Sequence, residues 1–140
     1  MRKDEKRIKY LEDVATLFAF KTVVDESQNE YVLFQKNPFE HVNNVPDRTE
    51  FEASQNHVHL LDDVTQEEFH ALIPIANCLG SALLCSLKSR YPNKHFMVFA
   101  SIGLHDSFVL RFHQKWENEE PFCNIDEFTS PTEKVFLYEG

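Results

Sequence analysis

The stretch that decides the fold is TQEEFHALIPIANCLGSALLCSLKSR, residues 65–90. Thr65 and, three residues later, Glu68 form the capping-box pattern with which helices begin. Pro74 is expected to kink this helix or to confine its regular part to the residues after it. Apolar residues recur at steps of three and four, which predicts one long helix with a core-facing side: Phe69, Leu72, Ile73, Ala76, Leu79, Leu83, Leu84 and Leu87.

The opposite side of this predicted helix carries a row of small residues: Ala71, Cys78, Ala82, Cys85 and Ser89. Small side chains allow another backbone to come close, so we expect a second cover on this side. The N-terminal helix is the expected cover, because an amphipathic helix needs a surface on which to lie. The alternative is a homodimer formed through the small-residue face of helix 65–90, as in an oligomeric structural or adaptor subunit.

Residues 3–19 form the predicted N-terminal helix, in which apolar residues follow the helical period: Ile8, Leu11, Ala15 and Phe18. Residues 21–24 and 31–34 are rich in strand-forming residues and flank a polar turn, which predicts a hairpin. Residues 37–56 show no sustained period and contain prolines and asparagines. We expect a long surface connection there, with at most one short strand.

Further strands are expected after the long helix. Residues 95–100 form an apolar run typical of a central strand, and residues 108–116 alternate between apolar and polar, as in a strand with one face on the core. Residues 135–138 add a last strand. Because hairpins dominate this order, residues 1–140 are predicted to form a single α+β domain. It has a largely antiparallel sheet of five or six strands, with the N-terminal helix and the long central helix packed on one face.

The 140-residue chain carries a net charge of −9, which is unevenly distributed. Residues 1–9 hold five bases and two acids, so residues 10–140 have 21 acidic and nine basic side chains and a net charge of −12. Such a charge repels nucleic acid and anionic membranes and attracts a basic protein. We therefore expect a basic protein partner, and neither nucleic acid nor membrane.

Cysteine usage and hydropathy predict a cytoplasmic protein. The three cysteines are an odd number without a C-x-x-C pair, which is typical of free thiols in a reducing compartment. The basic N-terminus runs directly into Tyr10-Leu11-Glu12-Asp13 instead of an apolar leader. No window is expected to approach the roughly 18 apolar residues of a membrane span.

Two imidazoles lie two positions apart in HVHLL, residues 57–61. In a strand, His57 and His59 would share one face and form half of a site for a divalent transition metal. A metal-binding protein or metal-dependent enzyme using these two residues is therefore one alternative. In the other interpretation, Val58 and Leu60 enter the core of a half-buried strand and the histidines lie on its wetter face.

Three basic residues, Arg111, His113 and Lys115, share the polar face of the strand predicted at 108–116. Within an acidic chain, such a ladder could hold an acidic group of a substrate or partner. It could equally be a solvated strand face that pairs with acids on neighbouring strands.

The sequence carries none of the common motifs of nucleophilic, phosphate-binding or metalloprotease sites, which favours binding over catalysis. The leading hypothesis is a small acidic protein-binding domain, such as a bacterial immunity or inhibitor protein that neutralises a basic toxin or nuclease by direct binding. This hypothesis needs no catalytic residue and no cofactor. An aromatic residue flanked by acids resembles an interface hot spot. The residues predicted to bind the partner are Glu40, Asp47, Glu50 and Glu52 in one segment, and Trp116, Glu117, Glu119 and Glu120 in another.

Overall fold

Three helices and six strands make up the computed structural model, which describes residues 2–140. In chain order they are α1 Lys3–Thr16, β1 Phe20–Val24, β2 Glu30–Phe34, α2 Arg48–Gln55, β3 His57–Leu61, α3 Gln66–Arg90, β4 Phe96–Gly103, β5 Phe108–Gln114 and β6 Glu133–Glu139. A short 3-10 helix, Ile125–Glu127, lies between β5 and β6.

Four of the strands form one antiparallel sheet in the order β3-β5-β4-β6. At its centre, Val98 of β4 lies opposite Phe112 of β5 and Tyr138 of β6. β1 and β2 form a separate antiparallel hairpin, in which Phe20 lies opposite Phe34. The predicted single α+β domain with antiparallel strands, an N-terminal helix and a long central helix is confirmed. The six strands form two sheets instead of the single sheet expected from the sequence.

Polar side chains join the hairpin to the four-stranded sheet. The Asn56 amide accepts a hydrogen bond from Phe34 N and donates one to Val32 O, as a strand residue would. The Glu52 carboxylate accepts from Val32 N, and the Gln114 amide donates to a carbonyl of β2. We call Glu52, Asn56 and Gln114 the polar seam. The seam takes the place of strand pairing between β2 and β5, which explains why the strands form two sheets.

α3 covers one face of the four-stranded sheet, where it packs on β4 and β6. Thr65 caps the helix as predicted: its hydroxyl accepts from Glu68 N, and the Glu68 carboxylate accepts from Thr65 N. The helix continues through Pro74 to Arg90. Its core-facing side chains are buried: Phe69, Leu72, Ala76, Leu83 and Leu87.

The expectation of a long surface connection over residues 37–56, with at most one short strand, holds for its first half and is wrong for its second half, where α2 lies. Asp47 is the N-cap of α2, and its carboxylate accepts from Glu50 N at 2.9 Å. An acid at the N-cap followed three residues later by glutamate is a helix-start signal. The helix has eight residues, too few for an apolar period to stand out in the sequence.

The expected packing of α1 on the small-residue side of α3 is also wrong. α1 lies against β3, and within Lys3–Thr16 the buried residue is Asp13. The apolar residues Ile8, Leu11 and Val14 are exposed. The helical period predicts the helix correctly, but the side of the helix that faces the molecule is the polar one.

The side of α3 that faces away from the sheet is uncharged from residue 70 to residue 87. The helix contains an 18-residue window with a mean hydropathy of 1.6, so by length and composition alone it is long and apolar enough to cross a membrane. The expectation that no window approaches this composition is therefore wrong. One side of the helix forms the core on β4 and β6, and the other side carries no Asp, Glu, Lys or Arg between residues 70 and 87.

The basic ladder on β5 is neither a solvated face nor an anion site. The Arg111 guanidinium lies over the Phe122 ring, 4.5 Å from its centroid, and donates to Ala53 O. His113 is buried, and its Nε2 accepts from Phe122 N at 3.1 Å. The segment after β5 therefore covers this face of the sheet and leaves Lys115 exposed.

Gly80 allows α3 to approach β6. A Cβ at this position would lie 2.3 Å from Cε2 of Tyr138, and the Tyr138 hydroxyl is bound to Asn77. We expect Gly80→Ala to lower the free energy of unfolding by about 1–3 kcal/mol, because helix and strand must separate, although alanine favours a helix more than glycine does. Urea denaturation measures the change.

The control for this measurement is Ser81→Ala, one residue further along α3 at an exposed position. Its effect should stay within about 0.5 kcal/mol. A Gly80→Ala variant as stable as the native protein would show that the Tyr138 ring is free to move.

Candidate binding surface

Residues 39–51 and 116–120 are far apart in the sequence and meet on one side of the molecule. The first segment, which includes the start of α2, forms a groove of about 440 Å3. Besides large apolar side chains, the lining of the groove includes Pro46 and the polar residues His41, Asn43, Asn44, Asp47 and Glu50. We call its large apolar side chains the floor of the groove: Phe39, Val42, Val45 and Phe51.

Aromatic contacts hold this floor in place. The Phe51 ring meets the Tyr31 ring edge-on, with the centroids 5.1 Å apart, and the Phe39 ring in the same manner at 5.8 Å. Tyr31 is fully buried, and Val42 belongs to the same small core. Because edge-to-face pairs prefer a defined geometry, these contacts fix the positions of the Phe39 and Phe51 rings in the groove.

Arg48 joins the two acidic segments. Its Nε pairs with the Glu119 carboxylate at 2.7 Å, and Thr49 N donates to the other oxygen of that carboxylate, also at 2.7 Å. The guanidinium lies over the Trp116 ring, 4.7 Å from its centroid, and donates to Glu117 O. Partial burial tends to raise the pKa of Glu119, but the donors from Arg48 and Thr49 lower that pKa to about 2. Glu119 is therefore an ionised part of the fold and is not free to bind a partner.

The remaining predicted carboxylates of the two segments, apart from Glu52, are exposed. Within residues 2–140, none of them has a Lys, Arg or His side chain at ion-pair distance. Carboxylates without a cation of their own are available to the cations of another molecule. We call this set the acidic rim: Glu40, Asp47, Glu50, Glu117 and Glu120.

Glu52 is also among the residues predicted to bind a partner, but it is fully buried. One of its carboxylate oxygens accepts from Gln114 N and Trp116 Nε1, and the other accepts from Val32 N and Gln114 Nε2, at 2.7–2.9 Å. Burial raises the pKa of Glu52 to about 7, and the four N–H donors oppose the rise. The carboxylate cannot reach a partner, and its role is to hold the polar seam.

Trp116 is not a free aromatic anchor either. Its indole N–H donates to Glu52 at 2.8 Å, and its ring lies between Arg48 and Tyr31, 5.3 Å from the Tyr31 centroid. The aromatic ring that is exposed beside the acidic rim is Phe39, at 38%. Nothing in the sequence separates Phe39 from the other phenylalanines, so its place in the groove emerges only from the fold.

His57 and His59 lie on the exposed face of β3, while Val58 and Leu60 are buried on the other face. His57 Nδ1 lies 2.9 Å from Ser54 O. In the part of the chain that the structure describes, no group of three or more His, Cys, Asp and Glu side chains is placed to hold a metal ion. The geometry of β3 agrees with the half-buried strand, and His59 Nδ1 lies 3.3 Å from the Asp62 carboxylate.

No family model matches the sequence, and the searches of curated proteins and of solved structures found no match.

Replacing Glu52 tests the polar seam. We expect Glu52→Gln to lower the free energy of unfolding by about 2–4 kcal/mol near pH 8, because the new amide NH2 would face N–H donors. Urea denaturation measures the loss. Glu50→Gln, on the exposed side of the same helix, is the matched control and should stay within about 0.5 kcal/mol. A Glu52→Gln variant of native stability would show that this carboxyl keeps a proton in the folded state.

The low pKa of Glu119 predicts a specific pH dependence. As the pH falls from 4.5, the usual value for glutamate, towards about 2, the unfolded chain takes up a proton that folded Glu119 does not, so stability is lost. Above pH 4.5 the contribution is fully present. Glu119→Gln should make the urea midpoint less dependent on pH over this interval, whereas Glu117→Gln should not. Equal slopes for the native and Glu119→Gln proteins would contradict the pairing with Arg48.

Proposed function

We propose that this chain is a small protein-binding domain whose groove and acidic rim take a basic segment of a partner protein. The observation that carries the proposal is an apolar floor bordered by Asp47 and Glu50, carboxylates that have no ion-pair partner within residues 2–140. Protein interfaces concentrate binding energy in a desolvated apolar centre and surround it with a polar rim. The groove has this layout, with a rim of a single sign of charge.

The layout fits a particular kind of segment. An aliphatic or aromatic side chain would lie on Phe39 and Phe51, and lysine or arginine on either side of it would meet Glu40, Asp47 and Glu50. Arginine fits best, because a guanidinium can bind a carboxylate through two parallel hydrogen bonds. Exposed ion pairs contribute little individually, so the apolar contact supplies affinity and the rim selects the charge of the segment.

The charge of the whole chain supports the same partner. Residues 10–140 carry a net charge of −12, which attracts a basic protein over a distance of roughly the Debye length, about 8 Å at physiological salt. Such a field speeds the encounter of oppositely charged proteins. Association should therefore be fast at low salt and slower as salt is added.

Neutralisation of a basic toxin or nuclease in the cytoplasm is the role that we propose for this surface. Nucleases bind the phosphate backbone through clusters of lysine and arginine, and clustered carboxylates compete for the same cations. Free thiols at Cys78, Cys85 and Cys123 suit a reducing compartment.

A selection from a random displayed peptide library against the purified domain tests the proposal. We expect enrichment of peptides in which lysine or arginine flanks an apolar residue. For one selected peptide, the double variant Glu40→Lys, Glu50→Lys should bind at least about ten-fold more weakly, because two attractive pairs become repulsive. Titration calorimetry measures the affinity, which should also fall as salt is added.

The matched control is the double variant Glu26→Lys, Glu127→Lys, which makes the same change of net charge at exposed positions outside the groove. Equal weakening by both double variants would assign the effect to total charge instead of the rim. Enrichment of acidic or uncharged peptides would contradict the proposal.

A further inference from the structure

α1 turns its apolar side away from the molecule. The buried residue within Lys3–Thr16 is Asp13, whose carboxylate pairs with Lys9 at 2.6 Å. The large apolar side chains of the helix face solvent, and Leu11 is 67% exposed. In the turn after the helix, Leu17 is buried and Phe18 is exposed. An amphipathic helix normally buries its apolar side, so this orientation leaves an apolar face without a cover. We call this face the α1 stripe: Ile8, Leu11, Val14 and Phe18.

α3 has an uncovered side as well. Residues 70–87 contain no Asp, Glu, Lys or Arg, so the outward side of the helix is uncharged for about five turns, or about 27 Å. Ile75 is 47% exposed on this side, together with Ala71, Pro74, Cys78 and Cys85. Large exposed apolar patches on soluble proteins mark interaction sites, and an uncharged side of this length stands out in a chain of which 26% is charged.

The two uncovered faces meet at one pocket. Phe18, at the end of the α1 stripe, lines an open pocket of about 580 Å3 together with Phe20 and with Cys85, Ser86, Ser89 and Arg90 of α3. The α1 stripe and the outward side of α3 therefore adjoin at the C-terminal end of α3, and together they form one exposed surface. None of the residues that line the groove belongs to this surface, so its role is independent of the proposed function.

We propose that two copies of this chain associate through this surface, with the α1 stripe of each copy packed on the small-residue side of α3 of the other. A dimer with two-fold symmetry needs a surface that is complementary to itself. The stripe supplies large apolar side chains and α3 supplies small ones, so each copy offers both halves of the contact. Two equivalent contacts then cover both faces at once.

Charge complementarity favours a second copy as the partner and determines the direction in which α1 packs along α3 of that copy. Residues 2–9 carry a net charge of +3, whereas α3 begins with acidic residues and ends with basic ones. With the helices running in the same direction, Arg7 would lie beside Glu67, and the next turn would place Leu11 beside Ala71. The opposite direction would bring the basic start of α1 to Lys88.

Sedimentation equilibrium of the full chain over a concentration series tests the dimer. The native chain should be dimeric. Leu11→Glu and Ala71→Arg each place a charge in the contact and should be monomeric at concentrations where the native chain is a dimer. Both positions are exposed, so circular dichroism and thermal unfolding should show native folding. The control Phe128→Glu, at an exposed apolar residue outside both helices, should remain dimeric.

Mixing the two variants distinguishes the reciprocal contact from other dimers. In a mixed dimer, one contact is unaltered, and the other brings Glu at position 11 of one copy against Arg at position 71 of the other. Equimolar Leu11→Glu and Ala71→Arg should therefore form a dimer, although each alone is a monomer. Contacts of α1 with α1, or of α3 with α3, would give no such recovery.

A native chain that is monomeric throughout the series would overturn the proposal. If that monomer also floated with phosphatidylcholine–phosphatidylserine vesicles, the surface would belong to a membrane instead of a second copy. A native dimer that Leu11→Glu and Ala71→Arg leave intact, or a mixture that stays monomeric, would overturn the reciprocal arrangement.

Discussion

The burial of one carboxylate organises this molecule. Glu52 sits where α2, β2 and β5 converge, and N–H groups from β2, from β5 and from Trp116 just beyond β5 occupy both of its oxygens. A buried carboxylate is costly unless hydrogen bonds satisfy it in this way. The elements that supply the donors can therefore assemble in few arrangements besides this one. Asn56 extends the same principle, because its side-chain amide fills the place of a strand that is missing between β2 and β5.

The same packing positions the groove. α2 turns Glu52 inward and carries Glu50 and Phe51 at the groove, so residues that hold the fold alternate with residues proposed for binding. Arg48, at the start of the helix, ties the turn after β5 to this edge through Glu119. The segment thereby contributes its own exposed acids to the acidic rim. Charged groups that pair within the protein, such as Arg48 with Glu119, therefore support the groove. The carboxylates of the acidic rim remain exposed.

Long periodic elements could be predicted from the sequence, and relations between elements could not. α3 has 25 residues, enough turns for its apolar period and capping box to be unambiguous. α2 has two turns, and its cap at Asp47 stands in a stretch of prolines and asparagines that resembles a loop. The period of α1 identified the residues that share a face, but a period does not say what that face contacts. Glu52 could not be separated from its exposed neighbours, because among 23 acidic residues residue type carries no information on burial.

The brevity of α2 has a consequence for the order of folding. A helix of eight residues does not persist alone in water, and the contacts that stabilise this one come from a hairpin and a sheet that are formed by distant parts of the chain. A chain whose hairpin was not docked would lack Tyr31, which packs beneath Phe51. The groove at α2 therefore exists only in a chain whose hairpin and sheet have already come together.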